Sequence, residues 1–153
     1  MRDILFKAKR IDNGEWIEGY YVKNSKEKTQ FNSVIFTNID SMLPECFDFY
    51  EIDESTLCQY TGLTDKNGNK IWENDAVRDK ADDMTMVVRW DEEKLRFVLD
   101  DYGYSGCLME YGYDETAGRF GVVDTYGFDD FYNPDQFFEV IGNIFDNADL
   151  LEG

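Results

Sequence analysis

Most of this chain reads as short runs rich in β-branched and aromatic residues, separated by turn chemistry, with little of helical period. Residues 4–11 and 15–22, joined through Asp12-Asn13-Gly14, predict a hairpin in which Asn13-Gly14 supplies the positive φ values of a tight turn. A second hairpin is predicted from residues 57–64, the turn Asp65-Lys66-Asn67-Gly68, and residues 70–77. In both, a Gly-closed Asx turn feeds a strand that carries Trp beside Ile and Glu. A third runs from residues 84–90 through the charged tip 91–94 to 95–99, with β-branched and aromatic residues in both arms. Residues 40–56 are acidic with Pro44 near their start, and predict a loop or a short helical turn. Residues 100–132 are rich in Gly, Tyr and Asp and define no element. Residues 137–145 predict a strand despite Gly142, and Asn147 is placed to cap a last helical turn over 148–151.

Short strands at regular spacing argue for an all-β barrel or sandwich. The Glu73-x-Asp75-Ala76-Val77 entry into a strand is common in SH3-like barrels. The expected fold is therefore mainly β: a small SH3-like barrel around residues 55–99 and 137–147, with additional N-terminal strands and a short C-terminal helical turn. At 153 residues one domain is expected, subdivided into 1–54 and 55–153, with an acidic aromatic insertion near 100–132.

Two blocks are far more specific than the composition. Leu57-Cys-Gln-Tyr-Thr-Gly-Leu-Thr-Asp-Lys-Asn-Gly-Asn-Lys-Ile-Trp-Glu-Asn-Asp-Ala-Val77, followed by Glu139-Val-Ile-Gly-Asn-Ile-Phe-Asp-Asn-Ala-Asp-Leu-Leu151, resembles the YopX family of small bacteriophage and prophage proteins. The opening from Arg2 to Ala8 resembles that family's charged, apolar start. Asn74 stands where the family pattern has Gly, and Asn is the residue that best replaces Gly at a left-handed backbone position. The matching positions Gly62, Asp65, Gly68, Glu73, Asp75, Gly142 and Asn143 read as structural, since turn chemistry explains most of them. The resemblance implies the same β architecture and a phage setting, and it transfers no active site.

Charge adds the strongest compositional signal. The net charge is −18, distributed as +2 over residues 1–39 and −20 over the remainder; from Phe97 onward Arg119 is the only basic residue against 13 acids. Such a surface repels nucleic acid and anionic membrane, which need basic footprints, and attracts cations and basic proteins. No apolar run is long enough to span a membrane, and residues 1–10 lack a secretory core, so the cytoplasm of a bacterial host is the expected location. Cys46, Cys58 and Cys107 fit neither a zinc ribbon nor a redox pair and read as free thiols. With no histidine, the usual general base and the commonest zinc ligand are missing.

Asp65-Lys66-Asn67-Gly68-Asn69 has the wrong register for an EF-hand calcium loop, because Gly is fourth and the twelfth position is Ala76. Paired acids such as Asp82-Asp83 point to opposite faces of a strand and do not converge unaided. Neither a catalytic residue nor a cofactor or metal site is expected. The best interaction candidates are Asp100, Asp101, Tyr102, Tyr104, Tyr111, Tyr113 and Asp114, where tyrosine offers contact area at low entropic cost beside steering acids. The function expected is non-enzymatic protein contact, with an unknown partner, for which the charge favours a basic protein, or with a second copy. The alternatives are a DNA mimic acting on a basic nucleic-acid-binding host protein, and a carboxylate-based cation-binding or metal-dependent enzyme domain. A single strand's carboxylates recur at about 6.6 Å, too sparsely for DNA's one charge per about 1.7 Å, so mimicry requires several acidic strands or loops together.

Overall fold

The computed structural model describes residues 3–24, 32–37, 48–79, 83, 85–93, 95–101, 108–114, 119–124 and 138–151. The chain divides into two units, Met1–Tyr60 and Thr61–Gly153, and the boundary falls inside one long strand. Antiparallel strands account for most of the described residues.

In the first unit, β1 (Phe6–Arg10), β2 (Trp16–Val22), β3 (Val34–Thr37) and β4 (Asp48–Thr64) pair in a closed circuit, since β4 also returns to β1. Each of the four thus has a ladder partner on both sides. Inside the circuit lie Ala8, Ile35 and Ile52, with Phe6, Ile17, Tyr21 and Leu57 packed against them. The first predicted hairpin is present, with a different turn. Arg10 N donates to Glu15 O (2.9 Å) and Gly14 N to Arg10 O (3.0 Å), so the loop is four residues long. In such a loop one left-handed residue at the end suffices, and Gly14 alone provides it (φ 73°).

Residues 48–56, expected as loop or helical turn, are strand. Their acids hide a period-two pattern: Ile52 is buried and Tyr50 half-buried, while Phe49, Glu51 and Asp53 face outward. Residues 57–60, expected in the barrel of the second unit, pair instead with β1.

In the second unit, the last residues of β4 pair with β5 (Lys70–Trp72), and Thr61 Oγ1 donates to Ile71 O at 2.7 Å. The predicted single arm 70–77 is in fact two strands. It breaks at Glu73-Asn74, and β6 (Asp75–Asp79) enters a second sheet ordered β10-β9-β8-β7-β6-β11. The remaining members are β7 (Thr85–Asp91), β8 (Arg96–Asp101), β9 (Leu108–Asp114), β10 (Arg119–Asp124) and β11 (Phe138–Asn143). The core gathers Ile71, Val77, Met86, Val88, Phe97, Leu99 and Phe138. Ala76 and Val87, which pair across β6 and β7, have no exposed surface either, so the sheet centre is covered on both faces. β10 and β11 stand at the two ends of this sheet, and no pairing closes them into a barrel among the described residues. A 3₁₀ turn covers Ala148–Leu151. Asn147 turns its side chain backward, its Oδ1 accepting Asn143 N at 3.3 Å. Cys58 is buried, its thiol donating to Thr56 O at 3.3 Å; Cys46 and Cys107 lie outside the described residues. No helix among these residues is long and apolar enough to cross a membrane.

At the break, Asn74 has φ 66°, the left-handed conformation inferred from its place in the family pattern. Its NH donates to Val88 O (2.7 Å) and its carbonyl accepts Ile144 N (3.1 Å), so this one residue ties β6 to both β7 and the end of β11. Asn74→Gly is expected to leave the urea midpoint nearly unchanged, whereas Asn74→Val, which places a β-branched residue at positive φ, is expected to cost about 2 kcal/mol.

Candidate functional site

The described part of the expected interaction segment falls on β8 and β9 of the second sheet. Asp100 and Asp101 close β8 opposite Val87 and Met86, and Asp100 also faces Leu108 of β9. Tyr111, Tyr113 and Asp114 sit on β9 opposite Val122, Phe120 and Arg119 of β10. Tyr102 and Tyr104 lie outside the described residues. The backbone thus brings five of the seven positions into neighbouring strands β8 and β9.

The motif residues are engaged in backbone bonds. Asp65 is only 1% exposed. Its Oδ1 accepts Asn67 N and Asn69 N (both 2.8 Å), and its Oδ2 accepts Val140 N (3.0 Å) and Asn69 Nδ2 (3.1 Å). One carboxylate therefore closes the β4–β5 turn and pins it to β11, joining the two sequence blocks. Burial pushes the Asp65 carboxyl up, but the bonds from Val140, Asn69 and Asn67 outweigh it and hold the group below the ordinary carboxylate range. Lys66 adds an ion pair to Glu139, and its NH donates to Phe138 O at 3.0 Å. Asp75 Oδ2 accepts Trp72 N at 2.8 Å across the β5–β6 turn. Asn143 Oδ1 accepts both Phe145 N and Asp146 N at 3.0 Å, organising the chain after β11. These groups hold a turn, a bulge and a strand end together.

Sequence reasoning missed the outward face of the first unit. Tyr20 pairs with Phe36, and Phe36 with Phe49, so three aromatic residues form a row across β2, β3 and β4. Tyr20 is 51% exposed and Phe49 59%, and the Phe36 and Phe49 rings meet at 5.6 Å. Val22, two residues along β2, is exposed as well. On the same side of β2, Trp16 lies beneath the ammonium groups of Lys7 (5.1 Å) and Lys9 (5.4 Å). No local motif announces the row, because its members come from three strands and only the register aligns them. Among the described residues no three His, Cys, Asp or Glu side chains form a group that could hold a metal ion.

No curated protein matches the chain. The crystal structure of protein EF1440 from Enterococcus faecalis is similar at 22% identity, covering 99% of each chain, with a TM-score of 0.42. The family described as YopX protein matches residues 5–152, spanning both the Asp65 turn and the β11 strand that it grips, and the chain belongs to this family.

Proposed function

We propose that this protein is a non-enzymatic phage or prophage protein of the host cytoplasm that acts by protein–protein contact, and that the contact face is the row Tyr20, Phe36 and Phe49. The exposure of that row is the observation that carries the reading. A contiguous apolar patch on a folded surface marks an interaction site more often than scattered apolar residues do, and aromatic residues dominate the energetics of such contacts. Charge favours the same face. The first 39 residues, which supply Tyr20 and Phe36, carry +2 against −20 for the rest, although Phe49 stands beside the outward-facing Glu51 and Asp53 of β4. A second copy of the chain fits this face, the two aromatic rows stacking on each other. The acidic, tyrosine-rich sequence from Asp100 to Asp114 then supplies charge that steers a basic partner. The expected SH3-like closure of the second sheet belongs to this reading too; the bulge between Val140 and Gly142 supports it by bending β11 at the sheet's end.

Tyr20→Ser combined with Phe49→Ser tests the face. Both residues are exposed, so the fold should survive, at a cost of about 0.5–1.5 kcal/mol for the ring contact that Phe49 makes with Phe36. Size-exclusion chromatography at matched concentration is expected to show the wild type eluting as an oligomer and the double variant as a monomer. Identical elution of the two proteins would remove the row from the interface.

A further inference from the structure

Asn followed by Gly is the dipeptide most open to spontaneous loss of side-chain ammonia, because glycine has no Cβ to keep its backbone nitrogen away from the neighbouring carboxamide. The chain holds two of them, Asn13-Gly14 and Asn67-Gly68. Both Asn residues are exposed, and a Cβ built on either Gly would meet nothing within 4 Å, so neither solvent nor room separates the two sites. Both glycines have a left-handed backbone, φ 73° at Gly14 and 82° at Gly68. Each also donates its NH to a carbonyl earlier in its turn, Gly14 N to Arg10 O (3.0 Å) and Gly68 N to Asp65 O (2.9 Å). Reaction at either site therefore requires the turn to open, since the Gly nitrogen must leave that carbonyl and swing onto the Asn Cγ.

The two turns differ in what else such an opening breaks. Around Asn67 it pulls on a buried carboxylate: Asp65 Oδ1 accepts Asn67 N and Asn69 N (both 2.8 Å), Oδ2 accepts Asn69 Nδ2 (3.1 Å), and Asp65 N donates to Asn69 O (2.8 Å). Bonds to a charged acceptor are about twice as strong as neutral ones. Asp65 is 1% exposed and is anchored from β11 by Val140 N, so water cannot readily take over its role. Around Asn13 the bonds are short-range. Arg10 N donates to Glu15 O (2.9 Å), Asn13 Oδ1 accepts Glu15 N (3.0 Å), and Asn13 Nδ2 donates to Glu15 Oε2 (2.8 Å). All three end on Glu15, and residues 11–15 are exposed throughout, so water replaces each bond at little cost.

We propose that Asn13 is the protein's site of spontaneous deamidation, and that Asp65 withholds the chemically equivalent Asn67 from the same reaction. At Asn13 the Gly14 nitrogen gives up its proton and attacks Cγ, the carboxamide nitrogen leaves as ammonia, and a succinimide ring closes between the two residues. Water then opens the ring at either carbonyl, leaving aspartate or an isoaspartate whose backbone is longer by one methylene. Both products add a negative charge to a chain already at −18, and both put an acceptor where Asn13 Nδ2 donates to Glu15. The isoaspartate also lengthens a loop whose ends are fixed by the Arg10–Glu15 bond. Neither site includes a residue of the Tyr20 row, so this inference stands or falls apart from the contact reading.

The full chain is held at about pH 8 and sampled over time, and peptides covering residues 10–15 and 64–70 are resolved by mass spectrometry into Asn, Asp and isoaspartate forms. The same chain in urea is the reference, in which the two sites should convert at similar rates. In the folded protein Asn13 is expected to convert about tenfold or more faster than Asn67, since one bond to a charged group accounts for a factor of that size. Asp65→Asn is expected to speed Asn67 severalfold and to leave Asn13 at its wild-type rate. Asn74→Val, which weakens the same unit away from this turn, is expected to leave Asn67 slow. Conversion at Asn67 that equals or exceeds that at Asn13, or an Asn13 that persists while the urea reference converts, would overturn the site. An Asn67 rate that Asp65→Asn does not move, or that Asn74→Val raises as much, would overturn the role of Asp65.

Discussion

Replacing Asp65 with alanine is expected to lower the stability of the Thr61–Gly153 unit by about 3–5 kcal/mol, since it strands several donors at once and an unsatisfied buried group costs about 1–3 kcal/mol. The donors are the NH groups of Asn67, Asn69 and Val140 and the Asn69 side-chain amide. Water reaches the turn donors more readily than Val140 N, which lies in β11, so the loss of the long-range link to that strand dominates. The urea midpoint falls with an unchanged slope. Asp65→Asn keeps one acceptor oxygen but turns an NH₂ toward two donors, and is expected to lose a smaller share. The pH dependence follows from the direction of the Asp65 shift. Its folded pKa is depressed, so its contribution is present in full above the ordinary aspartate value of about 3.9 and fades as pH falls from there through the lower folded value. The stability gap between wild type and Asp65→Asn should therefore be widest at neutral pH and narrow below about pH 4. A gap that stays constant down to pH 2 would mean that the carboxylate charge is not what the four donors serve.

Gly19→Ala is the second large expected effect. A Cβ at this position would overlap the carbonyl oxygen of Phe36 and stand 2.9 Å from Ile35 Cγ2 and 3.0 Å from the Phe36 carbonyl carbon. The obstacle is the backbone of β3, which cannot rotate away, and β3 is held on its other side by β4. Gly19 does not have a left-handed φ, so space alone requires glycine there. Overpacking of this kind costs about 3 kcal/mol or more when backbone must move. Gly142→Ala makes a useful contrast, because the atom in its way is the flexible carboxamide of Asn147. That group swings aside at the cost of its bond to Asn143 N, about 1 kcal/mol. Thermal unfolding should rank the two variants clearly, with Gly19→Ala far lower. Near-equal melting temperatures would show that β2 and β3 separate more easily than their register implies.

The parts of this fold that were legible in the sequence are those encoded over a few neighbouring residues. The β1–β2 and β7–β8 hairpins, the β11 strand through Gly142 and the left-handed Asn74 each have a local cause in turn chemistry or alternation. The turn at Asn74 was legible from the family pattern, but the division of residues 70–77 between two sheets was not, because it depends on Asp75 accepting Trp72 N and on β6 pairing with β7 and β11. The N-terminal part of β4 was hidden by its acids, which mask an alternation visible only once Tyr50 and Ile52 face inward. Register accounts for the rest. The Tyr20–Phe36–Phe49 row is assembled from three separate strands. By contrast, the Asp and Tyr positions of 100–114 stood out because they crowd a single segment of the sequence.

The central claim is that the protein works through an apolar contact face on an otherwise like-charged molecule, and sedimentation equilibrium across a salt series tests it most directly. Screening weakens repulsion between the acidic surfaces and leaves aromatic contact intact. The account predicts an oligomer whose mass persists or grows from low to high salt. A monomer at every salt concentration would contradict the proposed self-association, and an assembly that dissolves as salt rises would place the contact on charged surface in place of the Tyr20–Phe36–Phe49 row.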